Sequence, residues 1–214
     1  MSAARAQPLL FPLFLKLEGR RVLVVGAGKV AASKLATLRG TGADVLVIAP
    51  ALGAGIAAAE AAGDCTVLCR PFAEADLQGA WLVIAAATPE VNRAVATAAG
   101  PRCVFVNAVD DPAPASAYAG GVVRRDGVTL AISTAGRAPA LAGLLREALD
   151  TLLPPDLGAW VAEASGLRAG HKAKRVPLAE RRPLLLRALN RIYGHEYGDE
   201  YGNEYGHESE QERP

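Results

Sequence analysis

The first half of the chain alternates between two hydrophobic periods. A nearly continuous apolar run occurs at 21–25, as in a strand that is buried on both faces, and further short strands are predicted at 44–48, 65–69, 81–85 and 103–107. Between them, 30–39, 52–62 and 90–99 carry apolar residues at helical spacing. Strands and helices that alternate through short connections form a parallel sheet with right-handed crossovers. The pattern therefore predicts an α/β fold, with a Rossmann-like parallel sheet domain over 1–112.

The pattern changes after residue 112. Stretches at 121–125 and 128–132 flank Asp126-Gly127, a dipeptide typical of a two-residue hairpin turn. A helix is predicted from Pro139 to about 153, since proline is tolerated in a first helical turn and further prolines follow the last one. A hairpin and a helix of this size are too small to fold alone. We therefore expect a small hairpin-helix segment for dimerisation or substrate contact over 113–150. A C-terminal helical region follows over 151–192, with its last helix at about 184–192.

Residues 193–214 form a separate segment of tandem tetrapeptides. The repeat Tyr-Gly-X-Glu begins at Tyr193, Tyr197, Tyr201 and Tyr205. Its glycines and negative charge argue against a packed core, so the composition predicts a disordered acidic tail. Metal collection by His195, His207 and the glutamates is the alternative, although two histidines are few.

Composition and charge exclude several classes of protein. With 214 residues, 51% hydrophobic and 21% charged, the chain can bury a sizeable core and is not disordered throughout. The formal net charge of +1 hides an asymmetry. Residues 195–214 carry seven acidic residues against Arg213, whereas 1–194 carry 22 basic and 15 acidic residues, a net charge of +7. A cationic body favours nucleic acid, a membrane surface or a polyanionic small molecule. No long basic run with interleaved aromatics is present, which argues against nucleic acid.

Redox and targeting signals are weak. Cys65, Cys69 and Cys103 make neither a disulfide framework nor a zinc signature, and they are predicted to be buried strand thiols in a reducing compartment. The apolar segment 8–16 is too short to span a membrane and has no signal-peptide cleavage site. We therefore predict a packed N-terminal segment and a cytoplasmic protein without membrane contact.

A glycine loop follows the first predicted strand. In Gly26-Ala-Gly-Lys-Val-Ala31, Gly26 permits a tight turn and Gly28 lets the backbone approach a pyrophosphate. Ala31 allows close packing of helix on sheet, and the helix N-terminus offers free N–H groups to an anion. The loop therefore predicts a dinucleotide site, with a tight turn that binds no ligand as the alternative.

One part of the dinucleotide fingerprint is missing. The second strand ends Ile48-Ala-Pro50, without the carboxylate that would bind a ribose hydroxyl. The residues alone therefore leave NAD and NADP open, and backbone contacts around Pro50 and Ala51 could replace the carboxylate.

Polar residues follow the last strand at the sheet edge where open α/β proteins bind ligands. This segment reads Asn107-Ala-Val-Asp-Asp-Pro112. For Asp111 we favour a turn-capping role through side-chain-to-backbone bonds, and for Asp110 a functional role. The first histidine, His171, lies outside the sheet domain, so proton chemistry there needs carboxylates, hydroxyls, thiols or water. Asp110 is therefore the candidate catalytic residue.

A hydroxyl motif precedes the helix that is predicted at Pro139. Ser133-Thr134-Ala-Gly136 could present hydroxyl and N–H groups to an anion, or it could form the N-cap region of the helix. Nearby arginines could bind substrate carboxylates in bidentate fashion or remain solvated; they are Arg124, Arg125, Arg137 and Arg146.

Several motifs occur along the chain in one order. They are Pro12-Leu-Phe-Leu15, Val25-Gly-Ala-Gly-Lys-Val-Ala31, Trp81-Leu-Val-Ile-Ala-Ala86 with Val91-Asn92, Asn107-Ala-Val-Asp-Asp-Pro112, and Ala131-Ile-Ser-Thr-Ala-Gly136 with Pro139-Ala-Leu-Ala142 and Leu145-Arg-Glu147. Together they resemble the precorrin-2 dehydrogenase/sirohydrochlorin ferrochelatase family, the N-terminal part of siroheme synthase. The likeness covers about 9–150 and, more loosely, extends to about 192.

This resemblance implies NAD-dependent oxidation of precorrin-2 to sirohydrochlorin, followed in some members by insertion of ferrous iron as a substrate to give siroheme. It also implies a tetrapyrrole substrate and a homodimer. The family's essential aspartate falls on Asp110, and its serine falls on Thr134, just after Ser133. Substrate binding is expected at Asn107, Ser133, Thr134 and Gly136. Cofactor binding is expected at Gly26, Gly28, Lys29, Val30, Pro50, Ala51, Ala85 and Ala86, and no metal ligand is predicted.

The chain departs from the family pattern at two places. Ala87-Thr-Pro89 stands where relatives commonly have Thr-Asp-Asp, and Tyr118-Ala-Gly-Gly121 stands where many have Phe-x-x-Pro. No uroporphyrinogen methyltransferase domain follows, so that activity is not expected. The alternative function is a Rossmann module that senses NAD(H) without catalysis and signals through the hairpin-helix segment. The motif at 107–112 and the hydroxyl motif favour the enzyme.

Overall fold

A five-stranded parallel sheet forms the centre of the fold. The computed structural model describes residues 9–109, 111 and 113–192. The strand order is β3-β2-β1-β4-β5, and every pairing is parallel. The strands are β1 (Arg21–Val25), β2 (Asp44–Ile48), β3 (Thr66–Leu68), β4 (Ala80–Ala85) and β5 (Phe105–Ala108). The predicted Rossmann-like sheet is thus confirmed.

Three helices connect the strands of this sheet. They are α1 (Lys29–Leu38), α2 (Ala54–Ala61) and α3 (Pro89–Ala99). Between β3 and β4 the connection contains only a short 3₁₀ helix, Glu74–Leu77. Among the helices of the described residues, none combines the length and the apolar character needed to cross a lipid bilayer.

The central strand β1 is buried on both faces, and its residues alternate between two cores. Val22 and Val24 pack in the core beneath α1 and α2, whereas Leu23 and Val25 pack in the core beneath α3. Successive side chains of a strand point to opposite faces, so a strand covered by helices on both sides must be apolar at every position. This is why β1 appears in the sequence as a continuous apolar run.

The strand order reverses between β1 and β4. From β1 the chain proceeds outward through β2 to β3, and from β4 it proceeds in the opposite direction to β5. In open α/β sheets such a reversal leaves a crevice outside the carboxyl ends of the two central strands, where ligands bind. The loops after β1 and β4 therefore border the expected site.

The chain divides into two compact units. The first comprises the described residues up to Gly121 together with Ser133–Gly143, and the second comprises Val122–Ile132 and the described residues from Leu144 onward. The domain boundaries that we placed at 112, 150 and 192 stay predictions, and the acidic tail at 193–214 lies outside the described residues.

The hairpin and the C-terminal helices agree with the sequence pattern. Strands β6 (Gly121–Arg125) and β7 (Val128–Ile132) form a two-stranded sheet. Asp126 and Gly127 between them have φ angles of 47° and 84°, as a type I′ turn requires. Helix α4 covers Pro139–Leu152, and α5 (Leu157–Ala173) packs on α6 (Leu178–Ile192).

Two of the packing predictions are wrong. The three cysteines are free thiols that lie outside the strands, and Cys69 and Cys103 are exposed, since β3 ends at Leu68 and β5 begins only at Phe105. The N-terminal apolar segment does not pack either, because Leu9 is 98% and Phe11 is 85% exposed.

Candidate active site

The carboxyl edge of the sheet brings four strand ends together. The N–H of Gly26 donates to the carbonyl of Ile48 at 2.9 Å, and the N–H of Ala86 donates to the carbonyl of Val25 at 2.8 Å. The N–H of Val109 donates to the carbonyl of Ala85 at 3.0 Å. These bonds extend the ladders one residue beyond the strands, so the loops after β1, β2, β4 and β5 start at the same edge.

Gly26 makes the tight turn that the sequence predicts. Its φ angle is +112°, a conformation that L side chains rarely adopt. A Cβ atom at this position would also lie 2.3 Å from the carbonyl oxygen of Ala86. The loop after β1 therefore crosses the end of β4 at a distance that only glycine permits.

Gly28 faces open space at the start of α1. A Cβ atom here would meet no protein atom within 4 Å. Gly28 is the N-cap residue, no side chain caps the helix, and the first turn of α1 contains no acidic residue. The first N–H groups of the helix are thus left for a ligand, and the helix dipole favours an anion there. Ala31, fully buried, packs against the sheet as predicted. These features fit a dinucleotide pyrophosphate.

Two further glycines, which the sequence analysis missed, hold α2 against this loop. The N–H of Gly53 donates to the carbonyl of Ala27 at 3.1 Å, and a Cβ atom on Gly53 would lie 2.4 Å from that oxygen. A Cβ atom on Gly55 would lie 2.8 Å from the Cβ of Ala32 in α1. The sequence signal for this contact is the spacing of two glycines in Gly53-Ala-Gly55, just after the second strand. It reflects the close approach of two helices and a loop.

The remaining cofactor candidates lie at the same edge with different exposure. Lys29 and Val30 are exposed in the first turn of α1, and Pro50 and Ala51 are exposed directly after β2. Ala86 is half-buried, whereas the side chain of Ala85 is fully buried at the end of β4. The sheet edge therefore gathers all eight predicted cofactor residues, and Ala85 contributes its backbone there.

Asn107, in β5, holds the following segment in place and is also a candidate substrate-binding residue. Its side chain is only 9% exposed, and its Nδ2 donates to the carbonyl of Ala117 at 3.0 Å. The Oδ1 atom is buried and finds no hydrogen-bond partner among the described residues. Ser116 Oγ accepts a hydrogen bond from the N–H of Val106 at 2.8 Å. The segment after residue 112 is therefore folded back along β5, with one buried acceptor left over.

Of the two aspartates that follow β5, the structure describes one. Asp111 Oδ1 accepts a hydrogen bond from the N–H of Ala113 at 3.3 Å, the turn-capping bond predicted for it. Asp110, the candidate catalytic residue, lies outside the described residues.

The altered segment Ala87-Thr-Pro89 builds an ordinary helix start. Thr88 is the N-cap of α3 and its Oγ1 accepts from the N–H of Val91 at 3.5 Å, while Pro89 occupies the first helical turn. The buried Asn92 accepts from the N–H of Ala87 at 2.9 Å through Oδ1. Hydrogen bonds from the backbone N–H of Glu90 and from the Thr88 hydroxyl lower the pKa of the Glu90 carboxyl. Asn92, whose role the sequence analysis did not assign, thereby fixes the loop that follows Ala86.

The hydroxyl motif forms hydrogen bonds in the turn that precedes α4. Ser133 Oγ accepts from the N–H of Ala135 at 3.1 Å, and Thr134 Oγ1 accepts from the N–H of Ala138 at 3.2 Å. Between them, Ala135 (φ 53°) and Gly136 (φ 74°) form a left-handed turn closed by the bond from the N–H of Arg137 to the carbonyl of Thr134. Both hydroxyls therefore hold the turn before α4 and neither accepts from an N–H group of the helix itself, and substrate binding by this motif stays a prediction.

Most of the candidate arginines already have partners. Arg125 donates to the carbonyl of Leu153 at 2.7 Å and to the carboxylate of Asp150 at 2.8 Å, so it caps the C-terminal end of α4. Arg146 pairs with Glu147, and Arg137 Nε donates to the carbonyl of Thr134. No cluster of three or more His, Cys, Asp or Glu side chains that could hold a metal occurs among the described residues.

Comparisons with known proteins agree with this geometry. The profile of a family described as "Putative NAD(P)-binding" matches residues 13–121. Siroheme synthase 1 of Aeromonas salmonicida is 42% identical over 180 residues, which is 84% of this chain and 38% of that protein. Siroheme synthase of Pseudomonas putida is 42% identical over 164 residues, 76% of this chain and 35% of that protein. The chain thus spans little more than a third of the length of these relatives.

A solved structure of similar size adds a comparison of the fold. It is SirC, a precorrin-2 dehydrogenase, which aligns with a TM-score of 0.68 and 25% sequence identity over 86% of this chain and 92% of that chain. The resemblance that the motifs carry, to precorrin-2 dehydrogenases and siroheme synthases, is confirmed by these relatives. Since the family profile covers half of the chain and coincides with the glycine loop and its sheet, the chain belongs to the family described as "Putative NAD(P)-binding".

Proposed function

We propose that the chain is an NAD-dependent dehydrogenase that oxidises precorrin-2 to sirohydrochlorin in siroheme biosynthesis. One observation carries this proposal: the turn through Gly26 and the open N-terminus of α1 at Gly28 stand at the reversal point of the sheet. They do so in a chain that is similar to a precorrin-2 dehydrogenase over 92% of that protein's length.

The cofactor follows from the site and the resemblance together. When bound, NAD supplies the hydride acceptor of the reaction. The N–H groups at the start of α1 hold its pyrophosphate, and Lys29 and Val30 lie beside them. Ala49-Pro50-Ala51 offers neither a carboxylate for a ribose hydroxyl nor a cation for a 2′-phosphate. Backbone contacts at Pro50 and Ala51 therefore bind the ribose. The assignment of NAD rather than NADP as the cofactor rests on the resemblance.

The proton that leaves the substrate with each hydride needs a base. Asp110 is the carboxylate assigned to this task, because it follows β5 directly and the family's essential aspartate falls on it. The bond between the N–H of Val109 and the carbonyl of Ala85 fixes the backbone one residue before Asp110 beside the end of β4. Val109, the residue before the candidate base, is thus held at the same edge as the cofactor loop.

Substrate contacts are assigned to polar groups at the end of β5 and in the turn before α4. Asn107, whose Oδ1 has no hydrogen-bond partner among the described residues, is one assigned contact, and Ser133, Thr134 and Gly136 are assigned through their hydroxyl and backbone groups. The resemblance also implies that some members of the family insert ferrous iron as a second substrate, and this is a further activity to test in the chain.

Assembly and location complete the proposal. Helix α4 carries leucines with an exposed surface at positions that share one face, Leu141, Leu144, Leu145 and Leu152. This leucine face, together with the two-stranded sheet, is assigned to a homodimer contact. A cytoplasmic location stays a prediction.

The experiment that tests the function is an anaerobic incubation of the purified chain with enzymatically prepared precorrin-2 and NAD. Sirohydrochlorin absorbance should appear only when NAD is present, and ferrous iron added afterwards tests whether the chain accelerates siroheme formation. A folded chain that binds NAD without oxidising precorrin-2 would contradict the dehydrogenase and favour the NAD(H)-sensing module.

A further inference from the structure

Helices α5 and α6 carry an unbalanced positive charge. Residues 157–192 contain eight arginines and lysines against two glutamates, a formal charge of +6. Arg168 and Lys172 are exposed on α5, and Lys174 and Arg175 are exposed in the connection. Within the described part of the chain, none of these four side chains forms an ion pair.

The same holds on α6. Arg182, Arg187 and Arg191 are exposed and have no acidic partner within the described residues, although six other arginines of the chain are ion-paired there. We call these seven exposed cations of α5, α6 and their connection the basic surface. Unpaired like charges on two packed helices repel one another and attract any polyanion in solution.

An opposite charge of the same size follows α6 directly in the sequence. Residues 193–214 contain seven acidic residues and one arginine, a formal charge of −6. They also contain four of the five tyrosines of the chain, one at the start of each tetrapeptide. The carboxylates match the charge of the basic surface, and each tyrosine ring offers an aromatic face to an arginine.

We propose that segment 193–214 binds to the basic surface of its own chain and shields that surface from other polyanions. The reach is ample, since α6 is about 22 Å long at 1.5 Å per residue and 22 residues can span about 70 Å when extended. The covalent link gives the segment an effective concentration on the order of millimolar at the basic surface. A polyanion in solution must therefore displace the segment before it binds.

This assignment concerns the specificity of the protein rather than its chemistry. A cationic body binds phosphate backbones without regard to sequence, through the release of counterions. A tethered acidic segment reduces such binding at the helices, where the opposing charges are equal. None of these seven cations is among the residues assigned to the cofactor.

The test uses two variants that remove the negative charge in different ways. One chain ends after Ile192, and the other keeps full length but has all seven acidic residues of 193–214 replaced by their amides. The probe is a fluorescein-labelled single-stranded oligonucleotide, used as a generic polyanion. We expect both variants to bind it about tenfold more tightly than the parent chain at low salt, and the difference to vanish at high salt.

A matched control changes net charge elsewhere. Amide substitutions at Glu18, Asp44 and Glu60, which are exposed on the sheet unit, should alter oligonucleotide affinity far less per charge than those in the segment. Circular dichroism and NAD binding verify that every variant is folded. Oligonucleotide affinity that is unchanged in the full-length amide variant would overturn the proposal.

A synthetic peptide of residues 193–214 gives an independent readout. It should bind the chain that ends after Ile192 and the full-length amide variant, but not the parent chain, whose basic surface is already covered. The amide form of the peptide should bind none of them. Equal binding of the acidic peptide to the parent and to the amide variant would contradict docking within the chain.

Discussion

Gly26 and the carbonyl of Ala86 approach so closely that the loop after β1 rests on the end of β4. The gap leaves 2.3 Å between that oxygen and the position of an added Cβ atom, and the φ angle of Gly26 is +112°. Gly28, two residues later, has neither restriction, since an added Cβ atom would meet no protein atom within 4 Å. The two glycines of one loop therefore serve different purposes, one for the fold and one for the ligand.

This difference predicts opposite phenotypes for two alanine substitutions. Gly26→Ala should lower the free energy of unfolding by about 3 kcal/mol or more, through overlap with Ala86 and backbone strain. Gly28→Ala should leave it within about 1 kcal/mol of the parent, yet weaken NAD binding by at least about tenfold, because the methyl group occupies the pyrophosphate's place. Urea denaturation and titration calorimetry with NAD measure the two effects. A Gly28→Ala variant with parental NAD affinity would contradict the assigned site.

The connection between β3 and β4 depends on a nearly buried carboxylate. Arg70 donates to both oxygens of Asp76, at 2.8 and 2.5 Å, and the N–H of Ala73 donates to Oδ2 at 2.8 Å. The Asp76 side chain is only 8% exposed. The hydrogen bonds from Arg70 lower the pKa of Asp76, with a further contribution from Ala73, although burial acts in the opposite direction.

A pKa that is lower in the folded state makes stability depend on pH in one direction. The contribution of Asp76 is complete above its unfolded-state pKa, near 4, and is lost as the pH falls through the lower folded-state pKa. Asp76→Asn should therefore cost about 1–3 kcal/mol at neutral pH and less at low pH. Glu74→Gln is the control, because Glu74 pairs with Arg102 on the surface and should contribute little. Unfolding by urea between about pH 2.5 and 7 measures both; a pH-independent difference for Asp76→Asn would refute the assignment.

Ala135 occupies a conformation that suits another residue better. Its φ angle is 53° in the left-handed turn between Thr134 and Arg137, where alanine is strained and glycine is not. Ala135→Gly should raise the free energy of unfolding by about 0.5–1 kcal/mol, the relief of strain exceeding the added chain entropy of the unfolded state. The control Ala162→Gly lies at an exposed position inside α5, where glycine weakens a helix, and should lower the free energy of unfolding. Thermal denaturation measures the stability of both variants. Equal effects of the two substitutions on stability would exclude backbone strain at Ala135.

The exposed leucines of α4 predict an effect on assembly. Leu144→Glu places a charge on the leucine face, where Leu144 is 65% exposed, and should convert the proposed dimer to a monomer. Leu178→Glu on α6, which is 80% exposed and lies on another helix, is the matched control and should leave the dimer intact. Sedimentation velocity measures the oligomeric state. A parent chain that sediments as a monomer would reject the homodimer itself.

The parts of the fold that the sequence predicts well are those governed by local chemistry. The hairpin agrees with its prediction residue for residue, since Asp126-Gly127 requires a turn that few other sequences adopt. The alternation of strands and helices is equally clear, because the buried positions of β1 and β4 are all apolar. The cysteines were misjudged because β3 is only three residues long, and periodicity does not define the ends of so short a strand.

The site is harder to predict from the sequence, because several of its residues act through contacts with residues that are distant in the chain. The role of Gly53 depends on the carbonyl of Ala27, on the other side of β2, and the spacing Gly53-Ala-Gly55 indicates a close approach without identifying this partner. The same applies to Asn107, which the sequence marks as polar at a strand end. Its bond to Ala117 exists only because the following segment turns back along β5.

The adjacent aspartates after β5 allow the sharpest test of the chemistry. If Asp110 is the base, Asp110→Asn should reduce precorrin-2 oxidation by at least about a hundredfold while NAD affinity is unchanged, since the amide keeps the shape but accepts no proton. Asp111→Asn should keep most of the activity, because Asp111 caps a turn through the N–H of Ala113 and an amide oxygen can do the same. Initial rates under anaerobic conditions, compared with NAD titrations, separate the two roles. Equal losses of activity in the two variants would assign this segment to structure and remove Asp110 from the mechanism.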